Sequence, residues 1–311
     1  MYKTAFIFPG QGAQYIGMAK DFCDHITESK EIFVKASNIL GFDMQELCFI
    51  ENEKLNCTEY TQVAILTACI SILKAIEKEN CKVDITAGLS LGEYSALVAN
   101  GVLPFEQAIS LVRKRGLLME NEVPKGKGGM SAVLGLDSNI IEEICKNVSI
   151  DYKEPVELAN YNCPGQVVIS GEINALLEAT KKLKEAGARR VLELKVSGPF
   201  HSSMLKGAGE KLAKELEKNT FSNMNIPYVS NVTAKIIKDT ENIKDLLVKQ
   251  VYSPVKWEQS VKTMLDNGVQ NFVEIGPGKT LSGFIRKIDK TKNIINIEKL
   301  EDLEKIKTVC L

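Results

Sequence analysis

The 311-residue chain is 44% hydrophobic and 25% charged, the balance of a globular protein long enough to bury a large core as one domain or one domain with an insertion. Its 39 basic and 40 acidic side chains leave a formal net charge of -1, which excludes the overall positive field of a nucleic-acid binder. The start of the chain lacks the charged-then-apolar layout of a signal peptide, and no run approaches ~18 uninterrupted apolar residues, so a membrane span is not expected. Eight cysteines are scattered without a CxxC pair, which fits neither a zinc site nor a disulfide framework and points to a reduced cytoplasm. The sequons at Asn56, Asn147 and Asn231 then carry no meaning.

In chain order, Thr4–Phe8 is a short apolar run closed by Pro9 and Gly10, a buried strand, and helical patterns follow to about residue 80. Ile85–Leu89 is a second strand, turning through 88–92 into a helix near 92–99. Pro104 opens another helix to about 122. Strands joined by helices imply a parallel sheet covered on both faces. The glycine-rich stretch 124–129 reads as a linker, and the rhythm then changes: a strand over Met130–Leu136, a helix capped by Asp137 to about 147, strands over Val156–Tyr161 and Gln166–Ser170, a helix over Glu172–Gly187 and a strand over Arg190–Val196. That order, βαββαβ, is the ferredoxin-like unit. The expected organisation is α/β: a large subdomain (1–124 and 198–311) interrupted by a small one (125–197), with Asn271–Ile275 a late strand of the former.

Gly88-Leu89-Ser90-Leu91-Gly92 matches G-x-S-x-G between a strand and a helix, the context in which a sharp turn exposes a serine hydroxyl and aims the N–H of Leu91 at an oxyanion. The alternative is an ordinary glycine-rich turn. Serine needs a base, and the chain has two histidines. His25 lies among polar residues near a helix end, whereas His201 follows a strand end and a Gly-Pro turn, so His201 is favoured, with a capping or packing role as its alternative. Gln11, between Gly10 and Gly12 at the end of the first strand, offers a second oxyanion donor or a plain tight turn. Arg115 shares a helix face with Ala108, Leu111, Val112, Leu118 and Met119, so it points inward, where a guanidinium needs an anion. That anion is either a structural carboxylate or one on a substrate. Gly276–Thr280 ends like a P-loop but has Val273 where the first glycine belongs, and Ser71–Lys74 fits S-x-x-K without its companion motifs; both read as structural.

These residues fall within blocks spread over nearly the whole chain: FIFPGQGAQYIGM at 6–18, GLSLGEYSALVANG at 88–101, RGLLM at 115–119, NYNCPGQVVISG at 160–171, GPFHSSML at 198–205, VSNVTA at 229–234, QVYSPVKW at 250–257 and EIGPG at 274–278. In this the sequence resembles the malonyl-CoA:acyl carrier protein transacylases of type II fatty acid synthesis. The resemblance implies an α/β-hydrolase-like large subdomain with a ferredoxin-like insertion. It implies Ser90 as nucleophile, His201 as base oriented by the backbone carbonyl of Gln250, Gln11 and Leu91 as oxyanion donors, and Arg115 as the site of the malonyl carboxylate. Phe200, Asn160, Asn162 and Met130 would complete the substrate pocket, and Arg189, Arg190, Arg286 and Lys287 are candidates for an acidic carrier, with plain solvated charge as the alternative.

The resemblance also implies ping-pong transfer from malonyl-CoA to the carrier's phosphopantetheine thiol, with no metal or bound cofactor; the chain is expected to act in the cytoplasm, as its cysteine usage suggests, and as a monomer. An acetyl group would leave Arg115 buried and unpaired, a penalty of roughly 1–3 kcal/mol or more. Rival readings are a free-standing acyltransferase of a polyketide synthase, a serine thioesterase or other hydrolase on the same Ser90 and His201, and a non-catalytic carrier-binding module.

Overall fold

A computed structural model describes residues 3–79 and 81–309. The chain opens with β1 (Thr4–Phe8), followed by α1 (Lys20–His25), α2 (Thr27–Leu40), α3 (Met44–Phe49) and the long α4 (Thr58–Ile76). β2 (Ile85–Gly88) turns into α5 (Gly92–Ala99), and α6 (Phe105–Asn121) completes the first half. Next come β3 (Gly128–Leu134), α7 (Ser138–Tyr152), β4 (Val156–Cys163), β5 (Gln166–Glu172), α8 (Ile173–Glu185) and β6 (Arg190–Glu193). The remainder is α9 (Lys206–Glu217), β7 (Tyr228–Val229), β8 (Ile236–Ile237), α10 (Ile243–Tyr252), α11 (Trp257–Asp266), β9 (Asn271–Ile275), α12 (Thr280–Ile288), β10 (Asn293–Ile297) and α13 (Leu303–Ile306).

The larger sheet has the order β10-β9-β1-β2-β7-β8, parallel except for β8 at its edge. β1 is central and wholly buried, and because side chains alternate across a strand it serves two apolar layers. Phe6 and Phe8 join the cluster built on α2, α4 and α6. Ala5 and Ile7 join Trp257, Val261, Leu281 and Ile285 on the other face. Thr58–Glu79 is the one helical stretch among the described residues long and apolar enough to cross a bilayer, and 83% of its apolar window is buried within the protein.

The smaller sheet is antiparallel with the order β4-β5-β3-β6, the ferredoxin-like arrangement expected from βαββαβ. One face packs under α7 and α8 around Val133, Ile141, Ile169 and Leu183. The other carries Met130, Ala132, Ala159 and Val168 into the large cluster of the main body. Val255 ties β4 to the segment between α10 and α11: the Tyr161 N–H donates to its carbonyl at 2.9 Å and its own N–H donates to Ala159 O at 2.8 Å. A concave space therefore lies between the carboxyl end of the parallel sheet and the inner face of the smaller one.

Several boundaries differ from expectation for tertiary reasons. Gly128 and Gly129, expected in a linker, begin β3, and a Cβ on Gly128 would sit 2.7 Å from the Pro199 ring and 2.9 Å from Gly171 O. β3 stops at Leu134 because Gly135 turns into the left-handed region at φ 79°. β6 is only four residues long. Among the cysteines, 23, 48, 57, 69, 145 and 163 are thiols, Cys310 lies outside the described residues, and Cys81 is disulfide-bonded. That bridge departs from a thiol-only reading, since spacing along a chain does not report which residues the fold brings together.

Candidate active site

β2 ends where the backbone must reverse within four residues into α5. A Cβ on Gly88 would meet the carbonyl of Gly92 at 2.0 Å, and one on Gly92 would meet Phe8 O at 2.1 Å, so both positions require glycine. Between them Ser90 is held at φ 53°, a conformation that costs about 1–3 kcal/mol and persists only where its surroundings impose it. Asn231 does so. Its Oδ1 accepts from the Ser90 N–H at 2.6 Å while its Nδ2 donates to Gly88 O at 2.7 Å. The turn thus presents the Ser90 hydroxyl outward.

His201 follows the Gly198-Pro199-Phe200 turn and also has positive φ, 59°. Its Nε2 lies 2.7 Å from Ser90 Oγ and its Nδ1 2.7 Å from the backbone carbonyl of Gln250. A carbonyl only accepts, so Nδ1 carries the proton and Nε2 presents a lone pair to the serine O–H. Burial, reinforced by the Arg115 charge, lowers the imidazole to about 4. A base that stays neutral to so low a pH should keep kcat/KM for acylation level down through pH 6.5, with the acid limb near pH 4 where protonation removes the acceptor. A pH profile falling away around 6.5 would contradict this. His25 sits apart on α1, its Nδ1 2.9 Å from Asp21 O.

Arg115, on α6, is 1% exposed. Its Nη1 donates to Gln62 Oε1 at 2.7 Å, and its Nη2 donates to Gln250 Oε1 at 2.9 Å and to Ser90 Oγ at 3.0 Å. The guanidinium also stands over the Tyr94 ring at 5.5 Å. Of its two candidate partners, a structural carboxylate is absent: no Asp or Glu among the described residues forms an ion pair with it, and its Nε has no partner. Burial lowers its pKa from the ordinary value, and a cation so placed is unfavourable until an anion joins it. Arg115 lines the cavity beside the serine hydroxyl, where an anion can meet it.

A cavity of about 240 Å³ opens there, lined by both sheets' elements. Gln11 and Leu91 lie on its wall, and among the described residues their N–H groups donate to no protein acceptor. Asn160 and Asn162 from β4, Met130 from β3 and Phe200 line it too. The expected site residues therefore converge on one space. Arg189, Arg190, Arg286 and Lys287 do not; they are exposed, and Lys287 Nζ donates to Gln166 Oε1 at 3.2 Å.

The chain matches the acyl transferase domain family over residues 5–301. The malonyl CoA-acyl carrier protein transacylase of Staphylococcus aureus (strain MRSA252) is 48% identical over 305 residues, 98% of each chain. The chain belongs to the malonyl CoA-acyl carrier protein transacylase family. Solved transacylase structures agree. That of Clostridium perfringens ATCC 13124 superposes with a TM-score of 0.94 at 48% identity, covering 98% of this chain and 96% of that one. A malonyl-transacylase bound to its type II PKS acyl-carrier protein superposes with a TM-score of 0.95 at 40% identity, covering 98% of both.

Four residues of this transacylase site were not singled out by sequence reasoning: Gln62 and Tyr94, which hold Arg115, and Asn231 and Glu93, which hold the serine turn. Glu93 is 1% exposed and is pushed up to about 7 by burial, opposed by hydrogen bonds from Gln250 and the Asn231 N–H and by the Arg115 charge. A Glu in a first helical turn reads as a favourable helix-terminus charge, and only burial reveals a different role.

Proposed function

We propose that the chain transfers a malonyl group from malonyl-CoA to the phosphopantetheine thiol of acyl carrier protein, through a malonyl ester on Ser90, to supply fatty acid elongation. The observation that carries the reading is Arg115, a buried guanidinium without a carboxylate partner, 3.0 Å from the nucleophilic oxygen. A malonyl carboxylate lies two carbon atoms beyond the carbon that Ser90 attacks, so one substrate spans the serine and the arginine.

His201 Nε2 takes the proton of Ser90 as Oγ attacks the thioester carbonyl, and the Gln11 and Leu91 N–H groups receive the oxyanion. Collapse expels the CoA thiolate, which takes the proton from His201. The carrier thiol then gives its proton to the same nitrogen and attacks the ester, and Ser90 leaves with the proton restored. The Gln250 carbonyl steadies the imidazolium formed in each half-reaction, so no triad carboxylate is needed. Met130, Asn160, Asn162 and Phe200 shape the acyl and pantetheine space, with residues 125–197 acting as an inserted subdomain that roofs it. The exposed cations Arg189, Arg190, Arg286 and Lys287 meet the acidic carrier. The enzyme acts in the cytoplasm as a monomer, and these side chains supply every step without a cofactor.

The related hydrolase reading predicts that water consumes the acyl-enzyme. In a single-turnover chase, isolated malonyl-enzyme should lose its acyl group to phosphopantetheinylated carrier protein at least about 100-fold faster than to buffer, as expected when a positioned thiol replaces a poorly placed water. Equal rates would favour the hydrolase.

A further inference from the structure

Arg115 raises a physical problem that the mechanism does not answer: what holds its fork in one orientation before substrate arrives. A carboxylate in contact would answer it, but would also compete with the malonyl group for the same fork. Glu93 is the buried carboxylate nearest in connectivity. Its Oε2 accepts from Gln250 Nε2 at 2.6 Å, and Gln250 Oε1 accepts from Arg115 Nη2 at 2.9 Å. Gln250 Nε2 also donates to Ser90 O at 2.9 Å, and the Asn231 N–H donates to Glu93 Oε2 at 3.4 Å.

We propose that Glu93 is a positioning residue that acts on Arg115 through the Gln250 amide, fixing the end of that amide presented to the guanidinium while leaving its substrate face open. An amide can be rotated end for end, and only one orientation presents oxygen to Arg115. Glu93 selects it together with the Ser90 carbonyl, because an oxygen facing the amide accepts from NH₂ and repels oxygen, and the Glu93 contact is the shorter of the two. The same contact polarises the amide, strengthening Oε1 as an acceptor. Gln250 also supplies the carbonyl that orients His201, so the relay keeps the base and the carboxylate-binding cation in one frame. The inference rests on the transacylase reading above, and it predicts an effect on which acyl group is chosen, which a purely structural carboxylate would not have.

The experiment compares native protein, Glu93→Leu and Glu93→Gln by intact mass and stopped-flow acylation with malonyl-CoA and acetyl-CoA, with circular dichroism to establish folding. Glu93→Leu should lose at least 10-fold of its malonyl-over-acetyl preference, on the order of one lost buried hydrogen-bonding contact. Glu93→Gln, which can still offer an amide oxygen to Gln250 Nε2, should restore the preference to within a few fold. If Glu93→Leu does not fold, Glu93→Asp, one methylene short of Gln250, carries the same expected loss. A folded Glu93→Leu or Glu93→Asp with the native preference, or a Glu93→Gln that loses it fully, would overturn the inference while leaving the transacylase reading intact. Failure of native protein to acylate at all would strike that reading instead.

Discussion

Arg115→Ala should lose malonyl transfer by about 10²–10³-fold in kcat/KM, the scale of removing one partner of a buried charge pair, while acylation from acetyl-CoA holds steady or rises. The asymmetry follows from the geometry. The Nη2 group is 3.0 Å from Ser90 Oγ, close enough to fix a carboxylate on an acyl group attached there. An acetyl group has nothing to offer the guanidinium and gains by its removal. Pre-steady-state acylation with the two thioesters reads the ratio directly, and an equal loss with both would make Arg115 a structural element of the serine turn instead of a selectivity device. Lysine at this position should rescue poorly, because its single nitrogen lacks the planar fork that reaches Gln62 from Nη1 and Gln250 from Nη2.

Ser90→Ala should reduce kcat for transfer by at least about 10⁴-fold, in the range seen when a covalent nucleophile is removed from a site whose other groups act only with it. Folding should be almost unaffected, since the clamp on the turn is made by the Ser90 backbone N–H and by Gly88 O, both of which alanine retains. A substantial residual rate, measured with carrier protein as acceptor, would mean direct transfer between thiols without an ester.

How far the site was legible in advance depended on whether its chemistry left a mark on residue type. Ser90 stood out because only glycine fits at 88 and 92, and His201 because the chain has just one other histidine. Arg115 was readable from periodicity: its companions Ala108, Leu111, Val112 and Met119 are buried with it, while its neighbour Arg113 turns outward to pair with Glu59 at 2.8 Å. The orienting partner of His201 is a backbone carbonyl, an atom every residue carries, so residue type does not report it and only the family resemblance pointed to Gln250. Asn231 and Glu93 were hidden for a related reason, since polar side chains are ordinarily exposed and their burial is a property of the packed turn. In the fold, β1, β2 and the βαββαβ order were evident from apolar runs, whereas the two-residue strands β7 and β8 are too short for any periodicity, and β3 begins on glycines that only a close neighbour makes extended.

The central claim, an acyl-enzyme on Ser90, is tested most directly by peptide mapping of native protein quenched after brief exposure to malonyl-CoA. The account predicts a single malonyl adduct on the peptide containing Ser90, released when carrier thiol is added. An adduct on another residue, or none with any acyl-CoA despite turnover with the carrier, would contradict it.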